Sequence, residues 1–214
     1  MKILAVSDVE LEMIYSQAIV SRFGDVDVLI GCGDLPSYYL EYMISMLNRP
    51  LYYVRGNHAP PFTAAGGDPR HTFPWGGIDL HRQVKRDPSG LLLAGIEGSL
   101  RYNQGCYQYS QSEMWMFVFS LVPHLLLNRR LYGRSLDVFV THAPPWKIHD
   151  QDDLPHQGIK AFLWLVKVFQ PAYHLHGHIH VYTPQPVETQ VGPSWVMNCY
   201  GYRRVNTRLS WERG

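Results

Sequence analysis

Side chains of the types that bind metal ions follow five short apolar segments of this chain. They are Asp8 after ILAVS, Asp34 after VLIGCG, Asn57 after LYYVRG, His142 after DVFVT, and His178 and His180 after AYHLHG. Carboxylates, amide oxygens and imidazoles are the ligands that Mn²⁺, Fe²⁺ and Zn²⁺ accept in proteins. The pattern therefore favours a divalent-metal centre assembled from distant parts of the chain.

Each of these positions has a simpler interpretation when it is taken alone. An aspartate after a strand is commonly a turn residue or a helix N-cap, and the glycines of GCGD and RGN could serve turns that need a positive φ. The HGHIH segment could be a structural cluster of histidines. Turns and caps do not explain why the same chemistry recurs at five strand ends, so we prefer the metal centre.

The apolar segments themselves have the length and the β-branched content of strands. They are KILAV (2–6), VDVLI (26–30), LYYV (51–54), LLLAGI (91–96), DVFVT (137–141), AYHL (172–175) and SWVMNC (194–199). Apolar residues at helical spacing predict a helix over 157–169. Gly24 is predicted to end another helix, and Ser37 to cap the start of a third.

Strands that alternate with helices predict an α/β fold with buried, partly parallel sheets, in a single domain over residues 1–214. Ligands of such sheets bind at the carboxyl ends of the strands. We therefore expect the five strand ends to meet at one edge, although they are far apart in sequence.

Five motifs of the chain resemble those of the calcineurin-like metallophosphoesterases in order and spacing. They are SDVE, GCGD, GNH, THAPP and HGHIH, and the similarity runs from Asp8 to His180. The usual forms in the family are D-x-H, G-D, G-N-H-D/E, H and G-H-x-H. The resemblance implies a four-layer α/β/β/α sandwich of two mixed sheets flanked by helices, with two divalent metal ions. The wider context looks like that of small stand-alone bacterial phosphoesterases.

The resemblance also assigns roles by position. It places Asp8, Glu10 and His180 on the first metal and Asn57, His142 and His178 on the second, with Asp34 bridging both. A bridging carboxylate offsets the repulsion between two cations, which together polarise phosphoryl oxygens and lower the pKa of a bridging water. The implied reaction is attack of a metal-bridging hydroxide on a small phosphate ester. His58 would protonate the leaving group as general acid, or hydrogen-bond a metal ligand.

Two positions depart from the family pattern. Glu10 stands where the family usually has histidine, and Ala59 stands where it has Asp or Glu. A carboxylate at position 10 favours Mn²⁺ or Fe, with Zn²⁺ and Mg²⁺ as alternatives. Without an acidic neighbour, His58 would need another partner such as Asp150 or Asp68. These departures keep open two alternatives to a dinuclear enzyme, namely a binding or scaffold module with weakened catalysis and a mononuclear enzyme.

Two loops carry candidate contacts for the substrate. They contain Arg101, Tyr102 and Asn103 in SLRYNQG, and His149, Asp150 and His156 within 143–158. An arginine offers a bidentate fork to a phosphate. The alternative for the first three residues is that they hold their loop by hydrogen bonds, and for the other three that they are solvated. Trp115, Phe117 and Phe119 are expected to pack in the core, with an aromatic wall for a nucleobase as the alternative.

The composition limits the expected partners. The 214 residues include 19 basic and 18 acidic side chains, a net charge of +1, so we expect no obligatory nucleic acid and no membrane partner. The expected partner is a small phosphoester, nucleotides included, and the oligomeric state stays open. The start of the chain lacks the pattern of a signal peptide, and the apolar run 114–127 is too short to span a bilayer. Three cysteines without paired spacing are expected to be buried, which fits a cytoplasmic protein.

Overall fold

The computed structural model of the chain describes residues 1–58, 73–182, 187–207 and 209. Ala59 and Asp68 lie outside the described residues. The strands are β1 (Lys2–Ser7), β2 (Val28–Gly31), β3 (Leu51–Tyr53), β4 (Gly77–Asp79), β5 (Gln83–Arg86), β6 (Leu92–Ile96), β7 (Ser99–Leu100), β8 (Gln108–Tyr109), β9 (Val138–Thr141), β10 (Tyr173–His176), β11 (Glu188–Val191), β12 (Ser194–Asn198) and β13 (Gly201–Asn206). The helices are α1 (Ala18–Phe23), α2 (Ser37–Leu47), α3 (Gln111–Tyr132) and α4 (Lys160–Phe169), with a 3₁₀ turn at Leu154–His156.

Two mixed sheets form the centre of the fold. The first has the strand order β13-β1-β2-β3-β4, and the second has the order β11-β12-β10-β9-β6-β5. The inner strands run parallel, whereas β13 pairs antiparallel with β1, and β5 and β11 are antiparallel edges of the second sheet. A parallel pair, β7 and β8, lies apart from both sheets. The predicted mixed α/β sheets are confirmed.

Alternation along β1 shows how the layers stack, because successive side chains of a strand point to opposite faces. Ile3 and Ala5 belong to the core between the two sheets, where they join Val140 and Leu175 of the second sheet. Leu4 and Val6 belong to a second core under α1 and α2. A third core fills the space between the second sheet and helices α3 and α4. The four-layer sandwich of two sheets flanked by helices is thereby confirmed.

Some local predictions need correction. Gly24 does end α1, but α2 begins with Pro36 at its cap, because Pro36 has an extended backbone and Ser37 is already helical. The helix expected over 157–169 begins only at Lys160. Cys106 is exposed rather than buried.

Helix α3 runs through Pro123 without a break, starting from a capping box between Ser110 and Glu113. Its buried residues are Met114, Val118, Leu121 and Leu125. The side chain of Phe119 is 53% exposed, so its predicted place in the core is wrong. No helix in the described part of the chain has the length and apolar content needed to cross a bilayer.

Candidate metal centre

The predicted ligands follow strands whose carboxyl ends meet between the two sheets. Asp8, Asp34 and Asn57 follow β1, β2 and β3 of the first sheet, and His142 and His178 follow β9 and β10 of the second. The sheets touch here directly, because the backbone N–H of His178 donates to both carboxylate oxygens of Asp8 at 3.1 and 3.0 Å. Residues up to 170 positions apart in sequence thus share one site.

Four polar atoms converge on a common point in this site. Nε2 of His142 lies 3.0 Å from Oδ1 of Asn57, 3.1 Å from Oδ2 of Asp34 and 3.1 Å from Nδ1 of His178. Ligands bound to one ion at about 2.0 to 2.2 Å are themselves separated by about 3 Å. Among the described residues, Asp34, His142 and His178 form a group whose potential ligand atoms all lie within 4.8 Å of one another. This donor set fits a divalent cation.

Each imidazole presents the correct nitrogen to that point. Nδ1 of His142 donates to the carbonyl of Cys32 at 2.8 Å, and Nε2 of His178 donates to the carbonyl of Pro155 at 2.8 Å. A histidine that donates from one nitrogen offers a lone pair from the other. These two backbone carbonyls therefore fix the tautomers that metal binding requires, as hydrogen-bond partners of metal ligands commonly do.

Asp34 and His142 each stabilise the charged form of the other. Burial raises the pKa of Asp34, but the charge of His142, its hydrogen bond and the backbone N–H of His58 outweigh burial and lower this pKa to about 2. Burial lowers the pKa of His142, but the neighbouring Asp34 and Asp8 raise it to about 9. In the absence of a cation, a proton on His142 thus supplies the positive charge at this point. A divalent cation would replace that proton.

The backbone is strained at three of the ligands. Asp8, Asp34 and His178 have φ values of 66°, 54° and 67°, a region that costs a residue other than glycine roughly 1 to 3 kcal/mol. The backbone of Gly56 lies so close to the carboxylate of Asp34 that a Cβ at position 56 would overlap it, which explains why this residue is a glycine. Such strain and close contacts are typical of a site whose geometry serves binding.

The proposed ligands of the first metal are arranged more loosely. The side chain of Asp8 is buried, and its Oδ1 lies 3.9 Å from Nε2 of the half-exposed His180. Nδ1 of His180 is 2.8 Å from the hydroxyl of Tyr182. Glu10 is exposed, and its Oε2 accepts a hydrogen bond of 2.6 Å from the hydroxyl of Tyr38. The structure brings the side chains of Asp8 and His180 together, whereas the carboxylate of Glu10 is hydrogen-bonded to Tyr38.

His58 lies at the exposed mouth of the site. Its backbone N–H donates to Oδ1 of Asp34 at 2.8 Å, so this carboxylate contacts both His58 and His142. Nε2 of His58 is 3.4 Å from the hydroxyl of Tyr102, which also accepts a hydrogen bond of 3.0 Å from Nδ2 of Asn57. The sequence suggests a substrate contact or a loop-holding role for Tyr102, but not a contact with Asn57. No local pattern indicates that its loop folds back onto Asn57.

The residues of the 101–108 loop are occupied by contacts within the protein. Arg101 forms an ion pair of 3.0 Å with Glu113 of α3. Asn103 hydrogen-bonds within the loop through both its backbone N–H and its side chain. In the second loop, Asp150 accepts a hydrogen bond of 3.0 Å from the backbone N–H of Gly158. These contacts match the alternative role of holding the loops.

The two histidines of the 143–158 loop lie in different surroundings. Nδ1 of His149 is 2.9 Å from Nε2 of His176, and its Nε2 is 2.9 Å from Oγ1 of Thr189, so it joins the loop to β10 and β11. The ring of His156 lies 5.3 Å from the ring of His178. Of the six candidate substrate contacts, His156 is the one whose ring packs against a predicted metal ligand.

Comparison with known proteins agrees with the fold and identifies the family. The model of the calcineurin-like phosphoesterase family matches residues 1–182, and the chain belongs to this family. The resemblance found in the sequence is thus confirmed, and with it the general class of metal-dependent phosphoester hydrolases. No curated protein is a significant match.

Solved structures share the fold at low identity. The protein TT1561 of Thermus thermophilus superposes with a TM-score of 0.60 at 19% identity, over 94% of this chain and 89% of that chain. Another solved chain gives 0.62 at 16% identity, over 94% and 90%. GAP50, described as the anchor in the inner membrane complex of Plasmodium, gives 0.51 at 12% identity, over 94% and 71%. At these identities the similarity concerns the fold alone.

Proposed function

We propose that this protein is a dinuclear metal-dependent phosphohydrolase, a phosphodiesterase or phosphomonoesterase of small phosphate esters. The observation that carries the proposal is the convergence of Asp34, Asn57 and His178 on Nε2 of His142, with the opposite imidazole nitrogens held by backbone carbonyls. Two divalent cations, with Mn²⁺ or Fe favoured, would polarise the phosphoryl group and activate the attacking water when bound.

The protein side chains would divide the remaining work. Asp34 would hold both cations, and its Oδ1 accepts a hydrogen bond from the backbone N–H of His58. His58, exposed at the mouth, donates a proton to the leaving oxygen. Tyr102 orients the amide of Asn57 and lies beside the imidazole of His58. These contacts support a fixed arrangement of ligand and acid before substrate arrives.

The phosphate would meet one further imidazole. Nδ1 of His156 lies 2.6 Å from Oδ2 of Asp153, so this ring is held beside His178 by a carboxylate. In its protonated form, a histidine whose Nδ1 donates to a carboxylate can also donate from Nε2 to a phosphoryl oxygen. We assign it to substrate binding.

The proposal is tested with the purified chain, Mn²⁺, and the substrates bis-p-nitrophenyl phosphate and p-nitrophenyl phosphate. Asp34→Asn should abolish metal-dependent turnover, and His58→Ala should lower kcat about 100-fold or more. His124→Ala, at an exposed position of α3, is the matched control and should keep the activity of the unmodified chain. Absence of metal-dependent turnover, or unchanged activity in Asp34→Asn and His58→Ala, contradicts the proposal.

Metal content separates this enzyme from the scaffold module and the mononuclear enzyme. Glu10, a proposed ligand of the first metal, is hydrogen-bonded to Tyr38, so the first metal site is the less complete of the two. Two ions per chain after loading with Mn²⁺ support the dinuclear enzyme. A single ion with turnover supports the mononuclear enzyme, and no tightly bound ion supports the module.

A further inference from the structure

The even charge of the whole chain conceals a strong local asymmetry. Helices α3 and α4 and strand β5 form one side of the molecule, which we call the α3 layer and define as residues 82–86, 111–134 and 160–170. This layer contains eight basic residues, Arg82, Lys85, Arg86, Arg129, Arg130, Arg134, Lys160 and Lys167. Its single acidic residue is Glu113, which is paired with Arg101, and Arg134 is paired with Asp137 just outside the layer. The remainder of the chain has 11 basic and 17 acidic residues.

The same layer exposes a continuous apolar face. Five side chains of α3 are between 53 and 66% exposed, namely Met116, Phe119, Leu126, Leu127 and Leu131. Their spacing along the helix, with Pro123 in the middle, places most of them on the side opposite its buried residues. Val168 of α4 is a further half-exposed apolar residue of this layer. A helix that is apolar on both sides is normally covered, and exposed patches of this kind mark interaction sites.

Two arginines of the layer contact aromatic side chains of α3, and two more lie at its carboxyl end. The guanidinium of Arg86 is 5.2 Å from the ring centre of Tyr132, and that of Arg82 is 5.1 Å from the ring centre of Phe117. Arg129 and Arg130 are exposed within the last turn of α3. The surface therefore offers apolar side chains and positive charge side by side, with one acidic residue at the far end of the helix.

We propose that the α3 layer docks on an anionic lipid surface. The exposed leucines, Met116 and Phe119 would enter the interfacial region, and the arginines and lysines would contact the negative headgroups. An anionic lipid surface offers an apolar phase for the exposed apolar side chains and a negative charge for the basic residues. The activity proposed above does not depend on it.

Two other occupants fit the face less well. A second copy of the chain would bring Arg129 and Arg130 against the same basic surface, without acidic residues near them in this layer to offset the repulsion. A nucleic acid would satisfy the cations but would leave Leu126, Leu127 and Leu131 facing phosphate and water. An acidic protein is treated as an outcome of the test.

The test is co-sedimentation of the full chain with vesicles of phosphatidylcholine alone or mixed with phosphatidylglycerol. We expect binding to the mixed vesicles only, with partial release at high salt because exposed charges are screened. Phe119→Glu and Leu127→Glu should each abolish sedimentation and keep phosphoester hydrolysis. Replacing both Arg129 and Arg130 with glutamate should weaken binding by at least about tenfold. Val20→Glu, at a half-exposed apolar position of α1, is the matched control and should bind normally.

Each contrary outcome overturns the proposal in a recognisable way. If the chain binds neither kind of vesicle, the face does not bind lipid and is either exposed to solvent or covered by a protein partner. A dimer in light scattering that Leu127→Glu dissociates, without vesicle binding, assigns the face to a second copy. Equal binding to neutral and mixed vesicles, or binding that survives Phe119→Glu and Leu127→Glu, excludes this surface as an anionic-lipid site. Absence of hydrolysis in the unmodified chain would instead contradict the proposed function and would leave the vesicle result unaffected.

Discussion

Nδ2 of Asn57 donates a hydrogen bond of 3.0 Å to the hydroxyl of Tyr102, while Oδ1 of the same amide lies 3.0 Å from Nε2 of His142. An amide has one donor end and one acceptor end, and with its donor end on Tyr102 the amide of Asn57 presents its acceptor end to the candidate metal centre. The same hydroxyl is 3.4 Å from Nε2 of His58. A single tyrosine thus contacts both a proposed ligand and the proposed acid.

Tyr102→Phe should weaken the second metal site and lower kcat by roughly 10- to 100-fold, with a small change in KM, because partners of metal ligands typically contribute on that scale. The measurement is a Mn²⁺ titration followed by steady-state kinetics. Tyr42→Phe on α2 is the control. Metal affinity and kcat equal to those of the unmodified chain would show that Tyr102 does not position Asn57 or His58.

Gly56→Ala should remove metal binding and activity, because the added Cβ overlaps the carboxylate of Asp34 and must displace it. Gly192→Ala is the control, since a Cβ there meets open space although φ is 59°. That control should lose about 1 kcal/mol of stability through backbone strain and keep its activity. Thermal unfolding and the hydrolysis assay separate the two effects. Full activity in Gly56→Ala would contradict the close packing of Asp34.

Metal binding should depend on pH through His142. Its pKa is raised from 6.5 to about 9 in the metal-free protein, so the imidazole is protonated at neutral pH and must lose that proton to bind a metal. The apparent affinity should therefore rise about tenfold per pH unit as the pH increases towards 9, and level off above. In metal-free Asp34→Asn, an NMR titration should show a lower pKa for His142 than in the unmodified chain, because the main charge that raises this pKa is gone. Affinity that is independent of pH below 9 would contradict the assignment.

Glu10→His should raise the metal content and the rate. An imidazole restores the usual ligand of the family at this position, and it also removes the carboxylate that Tyr38 holds. Elemental analysis and kinetics at saturating Mn²⁺ measure both effects. Glu12→His, two residues away and also exposed, is the control. If Glu10→His lowers metal content instead, the carboxylate of Glu10 is itself a ligand of the first metal.

The grouping of the proposed ligands of the second metal could be predicted from the sequence, because the carboxyl ends of neighbouring parallel strands must lie side by side. His142 and His178 follow β9 and β10, which are hydrogen-bonded neighbours, and Asp34 follows β2 of the facing sheet. The contact of Tyr102 could not be predicted, since a loop with no hydrophobic period gives no indication of where it folds. The hydrogen bond between Tyr38 and Glu10 depends in the same way on tertiary packing of α2.

The fold shows a similar division. The inner strands have long apolar runs, which predicted them, whereas β5 and β13 are edge strands with mixed side chains and have no clear signal. The run 114–127 is apolar on every side of α3, so periodicity could not indicate which side is buried. Phe119 was therefore assigned to the core, although it lies on the exposed face.

The most direct test of the central claim measures bound metal and phosphoester turnover on the same samples of protein. Chain stripped with a chelator and reloaded with Mn²⁺ should regain both together, and Asp34→Asn should regain neither. Turnover that survives complete removal of metal, or full metal binding and turnover in Asp34→Asn, would contradict a catalytic centre built on Asp34 and His142.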